Sequence, residues 1–302
     1  MVRIRNAALF LLLSVLWGSA FTAIKAGLEA FPPVLFAAFR YDLAGIIVLA
    51  YAVVTVDRWR PRERGEWLLV AIGSVLMIAA YHAFLFVGEQ GTTSATAAII
   101  VSLSPVLTTA FARAFLPAER LTAVGIVGLL VGFVGVVVLS DPDPSNLLAA
   151  GTVSKVLVLL AAASFALGSV LTKRVDAELP IETMEAWSML GGALVMHLVS
   201  AGLGESVASV TWSTTALVSL GYLVVGASAV GFLLYFHLLD VLGPIEINLV
   251  SYAAPVAAAI TGIAFLGETP DVRTAVGFAC ILLGFVLLKR AAVRDLVARV
   301  GR

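Results

Sequence analysis

The sequence predicts an all-α membrane protein in which ten transmembrane helices form two inverted five-helix repeats. The first observation is composition: 61% of the 302 residues are hydrophobic, 13% are charged, and the mean hydropathy is +1.06. A soluble domain is about half apolar and about a quarter charged, so lipid must solvate most of this chain. The other two observations are an internal repeat and a one-sided distribution of lysine and arginine.

Ten apolar stretches have the roughly 20 residues that a helix needs to cross a hydrocarbon core of about 30 Å. They cover approximately residues 8–27, 33–55, 66–88, 93–115, 121–140, 153–172, 181–203, 213–237, 246–266 and 271–290. The connections between them are short, so no segment is long enough to form a soluble domain.

The first span has a second interpretation, because Arg3 and Arg5 before an apolar run resemble the start of a signal peptide. We expect it to be retained. Its apolar run is longer than that of a signal peptide, and Gly18, Ser19 and Thr22 recur 150 residues later in the sixth span.

Residues 88–139 are repeated in residues 238–288, and each copy reads as two apolar helices joined by a short acidic corner. The matched residues are Pro105 with Pro255, Glu119 with Glu268, Gly128 with Gly277 and Gly135 with Gly284. A repeat of this length sets the architecture of a chain. We therefore divide the chain into residues 1–145, the first five-helix repeat, and residues 146–302, the second repeat, which ends in a basic cytoplasmic tail.

Lysine and arginine are concentrated on one side of the predicted membrane. With a cytoplasmic N-terminus, 15 of the 19 basic residues fall on cytoplasmic segments, as the positive-inside rule requires. Both termini are then cytoplasmic, and five spans in each half make the second repeat enter the membrane from the opposite side. Inverted repeats of this kind are typical of secondary transporters, whose substrate site lies near the midplane between the repeats.

Other chemistries have little support in the sequence. The single cysteine, Cys280, excludes an intramolecular disulfide, and the three histidines lack metal-ligand spacing. We expect no cofactor, no metal and no enzymatic activity, and a net charge of zero gives no reason to expect nucleic acid. The expected partners are a small-molecule substrate and the lipid bilayer. The chain is expected to be a monomer, with a dimer as the alternative.

Three features are shared with a known family: the run Trp17-Gly18-Ser19-Ala20-Phe21 in the first span, Arg40 in the second, and the two repeat cores. On these residues the chain resembles the drug/metabolite transporter superfamily, in particular its EamA-type ten-helix exporters, and most of all the bacterial aromatic amino acid exporters. The resemblance implies a bundle in the bacterial inner membrane. Spans 1–4 and 6–9 would surround a central cavity, and spans 5 and 10 would be peripheral.

Trp17, Phe21 and Lys25 are four residues apart and therefore share one face of the first helix. They are candidates for an aromatic wall of the cavity with a cation near its mouth. Trp17 equally fits helix packing, and Lys25 fits an anchor whose ammonium group reaches the headgroups. Arg40 lies inside the second span, where a charge is costly and indicates a functional site. It is a candidate for substrate binding or for a structural tie inside the bundle.

Asp42 is the only carboxylate well inside a predicted span. It is a candidate proton carrier or the permanent partner of a basic residue. Tyr81, in the third span, offers an apolar ring and a hydroxyl group to an amphipathic substrate. His82 beside it is a further candidate, although a lone histidine in an apolar helix more often makes structural hydrogen bonds.

Ser102, Ser164 and Tyr252 lie in the fourth, sixth and ninth spans, where they can line the cavity or simply join helices. Pro105 and Pro255 occupy equivalent positions in the fourth and ninth spans. A proline leaves the carbonyl four residues earlier without its helical partner and weakens the helix. Both prolines are therefore candidate hinges. The glycines of the fifth and tenth spans instead indicate close helix packing.

These features together predict a secondary transporter that exports small amphipathic metabolites, above all amino acids and among them aromatic ones, by alternating access. The alternatives are transport of another class, such as a nucleotide sugar or a drug-like cation, a channel, or an intramembrane enzyme. A channel needs a polar stripe across the whole membrane, and an enzyme needs convergent nucleophile, base or metal ligands. Neither pattern is present.

Overall fold

A computed structural model of the protein describes residues 2–116, 123–141, 148–242, 247, 249–288 and 290, and these form ten long helices and no strand. The helices are α1 (Val2–Gly27), α2 (Pro33–Thr55), α3 (Arg64–Glu89), α4 (Ser94–Phe115), α5 (Ala123–Ser140), α6 (Ala150–Thr172), α7 (Ile181–Gly202), α8 (214–242), α9 (Val250–Leu266) and α10 (Val272–Leu288). The predicted corner at Glu119, the boundary at 145/146 and the basic tail beyond 290 lie outside the described residues.

The helices carry the apolar surface of a membrane protein. Among the described residues, α1, α2, α3, α4, α6 and α8 are long and apolar enough to cross a membrane, and α5, α9 and α10 are shorter apolar helices. Large side chains such as Val54 and Phe265 are 85% and 78% exposed. Lipid can cover such surface, and helices satisfy their own backbone groups within it. The chain is therefore an all-helical, multi-pass membrane protein, as predicted.

Three of the helices are interrupted. In α3 the segment Gly73–Ala80 is a π-helix, and in α8 the segment Tyr222–Val230 is another at the equivalent position of the second half. In α4, a turn at residues 102–103 separates Ser94–Val101 from Ser104–Phe115. Because π-helical segments are frequent at functional sites, the side chains around these segments are candidates for the functional site.

Glycines bring α5 and α10 into backbone contact, as predicted. A Cβ atom on Gly128 would lie 2.6 Å from the carbonyl oxygen of Gly284, and one on Gly135 would lie 2.7 Å from that of Gly277. Real Cβ atoms do not approach this closely, so only glycine allows these two helices to pack as they do. They contact mainly each other and pack against the remaining bundle at its edge.

Polar side chains close one end of the bundle, which we call the Lys25 end; it carries connections 28–32, 90–93, 203–213 and 267–271. Glu205 accepts hydrogen bonds from the backbone nitrogens of Val34 (3.2 Å) and Leu35 (2.8 Å) at the start of α2. Glu268 accepts from the backbone nitrogen of Ser94 (2.9 Å) at the start of α4. Both carboxylates satisfy helix N-termini that would otherwise lack acceptors.

The opposite end, the Arg58 end, carries connections 56–63 and 173–180. Arg58 pairs there with the buried carboxylate of Glu66. The Trp187 indole donates to the carbonyl of Trp59 (3.0 Å), and the Thr183 hydroxyl donates to that of Arg58 (2.7 Å). These bonds tie α7 to the connection between α2 and α3.

Candidate functional site

Arg40 lies at the centre of the candidate site. Its side chain is 6% exposed, its Nε donates to Ser228 Oγ (3.1 Å) in the π-helical segment of α8, and its guanidinium lies 5.0 Å from the Tyr41 ring centroid. Among the described residues, its two terminal NH2 groups have no hydrogen-bond partner. Arg40 is therefore a buried cation that is held at one nitrogen and keeps a fork of donors free for another group.

A cluster of aromatic side chains extends from this cation: Tyr41 lies beside the guanidinium, and His82 and Tyr81 lie within its electrostatic reach. The Tyr41 hydroxyl lies 2.7 Å from His82 Nε2, and His82 Nδ1 lies 2.8 Å from the carbonyl oxygen of Ile78. A carbonyl only accepts, so Nδ1 donates and Nε2 of the uncharged ring accepts from Tyr41. Tyr81 contacts the His82 ring (4.4 Å between centroids) and the Phe165 ring of α6 (5.5 Å). Both His82 nitrogens are thus occupied, while Tyr81 keeps its hydroxyl available.

Trp17 and Ser164 each reach a π-helical segment of the other half of the chain. Trp17 Nε1 donates to the carbonyl of Ala227 (3.1 Å) in α8, and Ser164 Oγ donates to the carbonyl of Leu76 (2.8 Å) in α3. Ala227 is the neighbour of Ser228, which holds Arg40. A widened turn exposes carbonyls, and these two side chains satisfy them. The first helix of each half is thereby tied to the third helix of the other.

Replacing Trp17 by phenylalanine is expected to lower the free energy of unfolding by about 1–3 kcal/mol, because the Ala227 carbonyl loses its donor inside the bundle. The ring contacts with Phe232 and Tyr235, at 5.9 and 5.5 Å, would remain. Thermal unfolding in detergent, followed by circular dichroism, measures the change. Trp212→Phe is the matched control because Trp212 is 55% exposed. An equal loss in both variants would contradict a specific role for the indole nitrogen.

The remaining predicted residues make no described hydrogen bond or ring contact with Arg40, Tyr41, Tyr81 or His82. Phe21 is 8% exposed and packs in the main hydrophobic core. The Ser102 hydroxyl donates to the carbonyl of Ile99 (2.6 Å) in its own helix. The Tyr252 ring packs on Phe285 of α10 (4.4 Å), and its buried hydroxyl has no partner among the described residues.

The two prolines differ in their surroundings. Pro105 lies in the first turn after the break in α4, and the carbonyl of Val101 accepts a hydrogen bond from Ser104 Oγ (2.7 Å). The hydroxyl thus replaces the amide hydrogen that the proline lacks. Pro255 lies inside the continuous helix α9. The break occurs in one half of the chain at the predicted hinge position, whereas the equivalent position in the other half is helical.

Lys25 and Asp42 both have partners other than substrate. Lys25 Nζ donates to the carbonyls of Glu89 (2.8 Å), Gln90 (3.0 Å) and Thr92 (2.9 Å) at the end of α3. Asp42 Oδ2 lies 2.7 Å from His197 Nε2 of α7, and both side chains are more than a third exposed. Of the two interpretations of Asp42, a proton carrier or the partner of a basic residue, the contact with His197 favours the second.

Asp42 is not the only carboxylate inside the helices. The predicted third span ends at residue 88, but α3 continues to Glu89, whose side chain is completely buried. Glu185, in the first turns of α7, interacts electrostatically with Tyr41 and Tyr235. Helix ends are the least reliable part of a sequence prediction, and both residues lie near one. The position of Glu89 directly after the apolar residues 83–88 is the signal that could have located it.

A multi-pass helical bundle with a buried cation among aromatic side chains has the features of a membrane transporter. The chain belongs to the EamA-like transporter family, whose model matches it twice, over residues 5–141 and 153–290.

Relatives with similar sequences span most of the chain. YedA, an uncharacterized inner membrane transporter of Escherichia coli K12, is 29% identical over 260 residues, 85% of this chain and 81% of YedA. YvbV, an uncharacterized transporter of Bacillus subtilis, is 26% identical over 300 residues, 98% of this chain and 95% of YvbV. A crystal structure with 23% identity superposes with a TM-score of 0.66, covering 96% of this chain and 98% of the other. At that identity the similarity shows a shared fold and nothing about function.

Proposed function

We propose that the protein is a secondary transporter that exports small amphipathic metabolites, chiefly amino acids with aromatic side chains, by alternating access. The observation that carries the proposal is Arg40, a buried guanidinium with free donors. A planar guanidinium is suited to a carboxylate because it can form two parallel hydrogen bonds with it.

Tyr81, which lies within electrostatic reach of Arg40, and the neighbouring Phe165 suit the other part of such a substrate. Tyr81 and Phe165 offer ring faces, and Tyr81 adds a hydroxyl group that the described contacts leave free. Aromatic pairs contribute about 0.5–1.5 kcal/mol beyond the area that they bury. A substrate with a carboxylate and an apolar or aromatic side chain would therefore use both features of the site.

The distribution of charge supports an orientation with the Arg58 end in the cytoplasm. That end carries Arg58, Arg60, Arg62 and Arg64 in one connection and Lys173 and Arg174 in another. Cytoplasmic loops are enriched in such residues, so both termini would face the cytoplasm of a bacterial cell and the Lys25 end would face outward.

Differences between the two halves support alternating access. Gly18 of α1 and Gly168 of α6 are equivalent in the repeat. Gly18 lies against the backbone of α9 at Ala254, whereas Gly168 lies against the side chain of Met77 in α3. Halves with related sequences but different contacts can exchange their conformations, which would open the site to the other side of the membrane.

Arg40 also argues against the two alternative substrate classes, drug-like cations and nucleotide sugars. A drug-like cation would be repelled by Arg40 at the centre of the site. A nucleotide sugar would pair with the guanidinium through its phosphates, but it would bring several negative charges to a single buried arginine. One carboxylate matches that charge better.

Counterflow in proteoliposomes tests the proposal. Vesicles loaded with unlabelled tryptophan are diluted into labelled tryptophan, phenylalanine, threonine or a nucleotide sugar. We expect saturable uptake of the amino acids, fastest for the two aromatic ones. Saturable uptake of the nucleotide sugar alone would refute the substrate class, and the absence of any saturable amino acid flux would refute amino acid transport.

A further inference from the structure

Glu89 is a fully buried carboxyl group at the end of α3. Its side chain is 0% exposed, and neither Oε1 nor Oε2 has a hydrogen-bond partner among the described residues. Buried acidic groups are normally paired or hydrogen-bonded, because water no longer stabilises their charge. None of the contacts described above explains why a glutamate lies here.

Lys25 is close to Glu89 but does not pair with its side chain. An ammonium group has three N–H donors, and Lys25 directs them at three backbone carbonyls, including that of Glu89 itself (2.8 Å). The Lys25 ammonium group is thus engaged in joining α1 to the end of α3 and the connection that leads to α4.

The other charged and titratable groups around Glu89 do not pair with its carboxyl group either. Glu268 holds Ser94, Arg40 is bound to Ser228 towards the centre of the bundle, and both interact electrostatically with Glu89. Lys155, from the neighbouring helix α6, donates to the carbonyl of Ser140 (3.1 Å). Tyr81, two turns earlier in α3, also lies within electrostatic reach. None of them donates a hydrogen bond to the Glu89 carboxyl.

A cavity at the Lys25 end of the structure borders Gln90, the residue next to Glu89. Its volume is about 780 Å³, and it is lined among others by Lys25, Gln90, Thr92 and Glu268. Lys25 and Gln90 line this cavity, whereas Glu89, the residue before Gln90, is completely buried and does not line it.

We propose that Glu89 is a proton-binding site that controls the closure of the Lys25 end. With the proton bound, the neutral carboxyl group stays buried and Lys25 holds the three carbonyls. When the O–H bond breaks and the proton passes to water in the cavity, the carboxylate attracts the Lys25 ammonium away from the carbonyls, and the closure loosens. The ligand is the proton alone, so this inference does not depend on the transported substrate.

Thiol labelling of the purified full-length protein in detergent tests this proposal. In a Cys280→Ala background, Thr22→Cys reports on the closure, since Thr22 is 6% exposed and lies one turn from Lys25. Ala208→Cys, at an exposed position of the same end, corrects for the effect of pH on thiol reactivity. The measured quantity is the ratio of the two labelling rates with a soluble maleimide.

We expect this ratio to rise with pH while Glu89 is present, by up to about tenfold per pH unit, the limit for one titrating group. With Glu89→Gln, which cannot ionise, the ratio should stay low at every pH. With Lys25→Met it should be high at every pH, because the closure is lost. Glu29→Gln removes the charge of a glutamate at an exposed position of the same end, and it should behave like the parent.

A pH-dependent rise that persists in Glu89→Gln, or a flat ratio in the parent, would overturn the proposal. Its failure is distinct from failure of the proposed function, which appears as the absence of amino acid flux in proteoliposomes while the labelling results stand.

Discussion

Replacing Arg40 by methionine is expected to lower the rate of tryptophan transport by about a hundredfold or more at limiting substrate. A hydrogen bond to a charged group contributes about 1.5–3 kcal/mol, and two such bonds to a carboxylate are lost together. A loss of about 3 kcal/mol corresponds to roughly a hundredfold. The measurement is initial uptake by proteoliposomes that contain equal amounts of monodisperse protein.

Two further variants make this result specific. Arg40→Lys keeps the charge but not the planar fork, so an intermediate rate is expected. Arg273→Met removes an arginine that is exposed at the Lys25 end and pairs with Asp141 on the surface, where an ion pair contributes little. It should transport at the parental rate. Tryptamine, which lacks the carboxylate, should compete only weakly with tryptophan for the parent protein. In Arg40→Met, which has lost the partner of the carboxylate, tryptamine and unlabelled tryptophan should compete equally well. Unchanged tryptophan uptake in Arg40→Met would refute the assignment of Arg40 to the carboxylate.

The helical fold could be predicted from the sequence because hydrophobic length alone specifies a membrane span. Each of the ten predicted stretches corresponds to a helix, with the largest differences at ends such as the start of α1, which begins at Val2. Lipid imposes this outcome, since a chain in hydrocarbon must satisfy its own backbone groups. Proline was a less certain guide: α4 is interrupted just before Pro105, whereas α9 continues unbroken through Pro255, which lacks the same amide hydrogen.

The arrangement of the site was harder to predict from the sequence, since it depends on contacts between residues far apart in the chain. Nothing in the local sequence of Gly73–Ala80 or Tyr222–Val230 specifies a π-helix; donors from other helices, Ser164 and Trp17, satisfy carbonyls there. Lys25 illustrates the same limit. Its position on α1 predicts a headgroup anchor or a substrate contact, whereas its three acceptors belong to residues 89–92. Only tertiary structure brings these groups together.

The contact between α1 and α9 depends on the absence of a side chain at Gly18. A Cβ atom there would meet the carbonyl oxygen of Ala254 and the Cβ of Ala257, and it would lie 3.0 Å from the nitrogen of Ala258. Two of these three atoms belong to the backbone of α9 and cannot rotate away. One turn further along, the Thr22 and Thr261 hydroxyls are 2.6 Å apart, so the close approach continues towards the Lys25 end.

Replacing Gly18 by valine is therefore expected to destabilise the protein by about 3 kcal/mol or more, the upper range for overpacking, and to abolish transport. Gly221→Val is the matched control: no atom lies within 4 Å of the position of its Cβ, and valine has a slightly better helix propensity than glycine. Thermal unfolding in detergent and tryptophan counterflow, measured on both variants, compare the same added side chain at a closed and an open position. If Gly18→Val unfolds at the parental temperature, α1 and α9 do not pack as closely as these distances require.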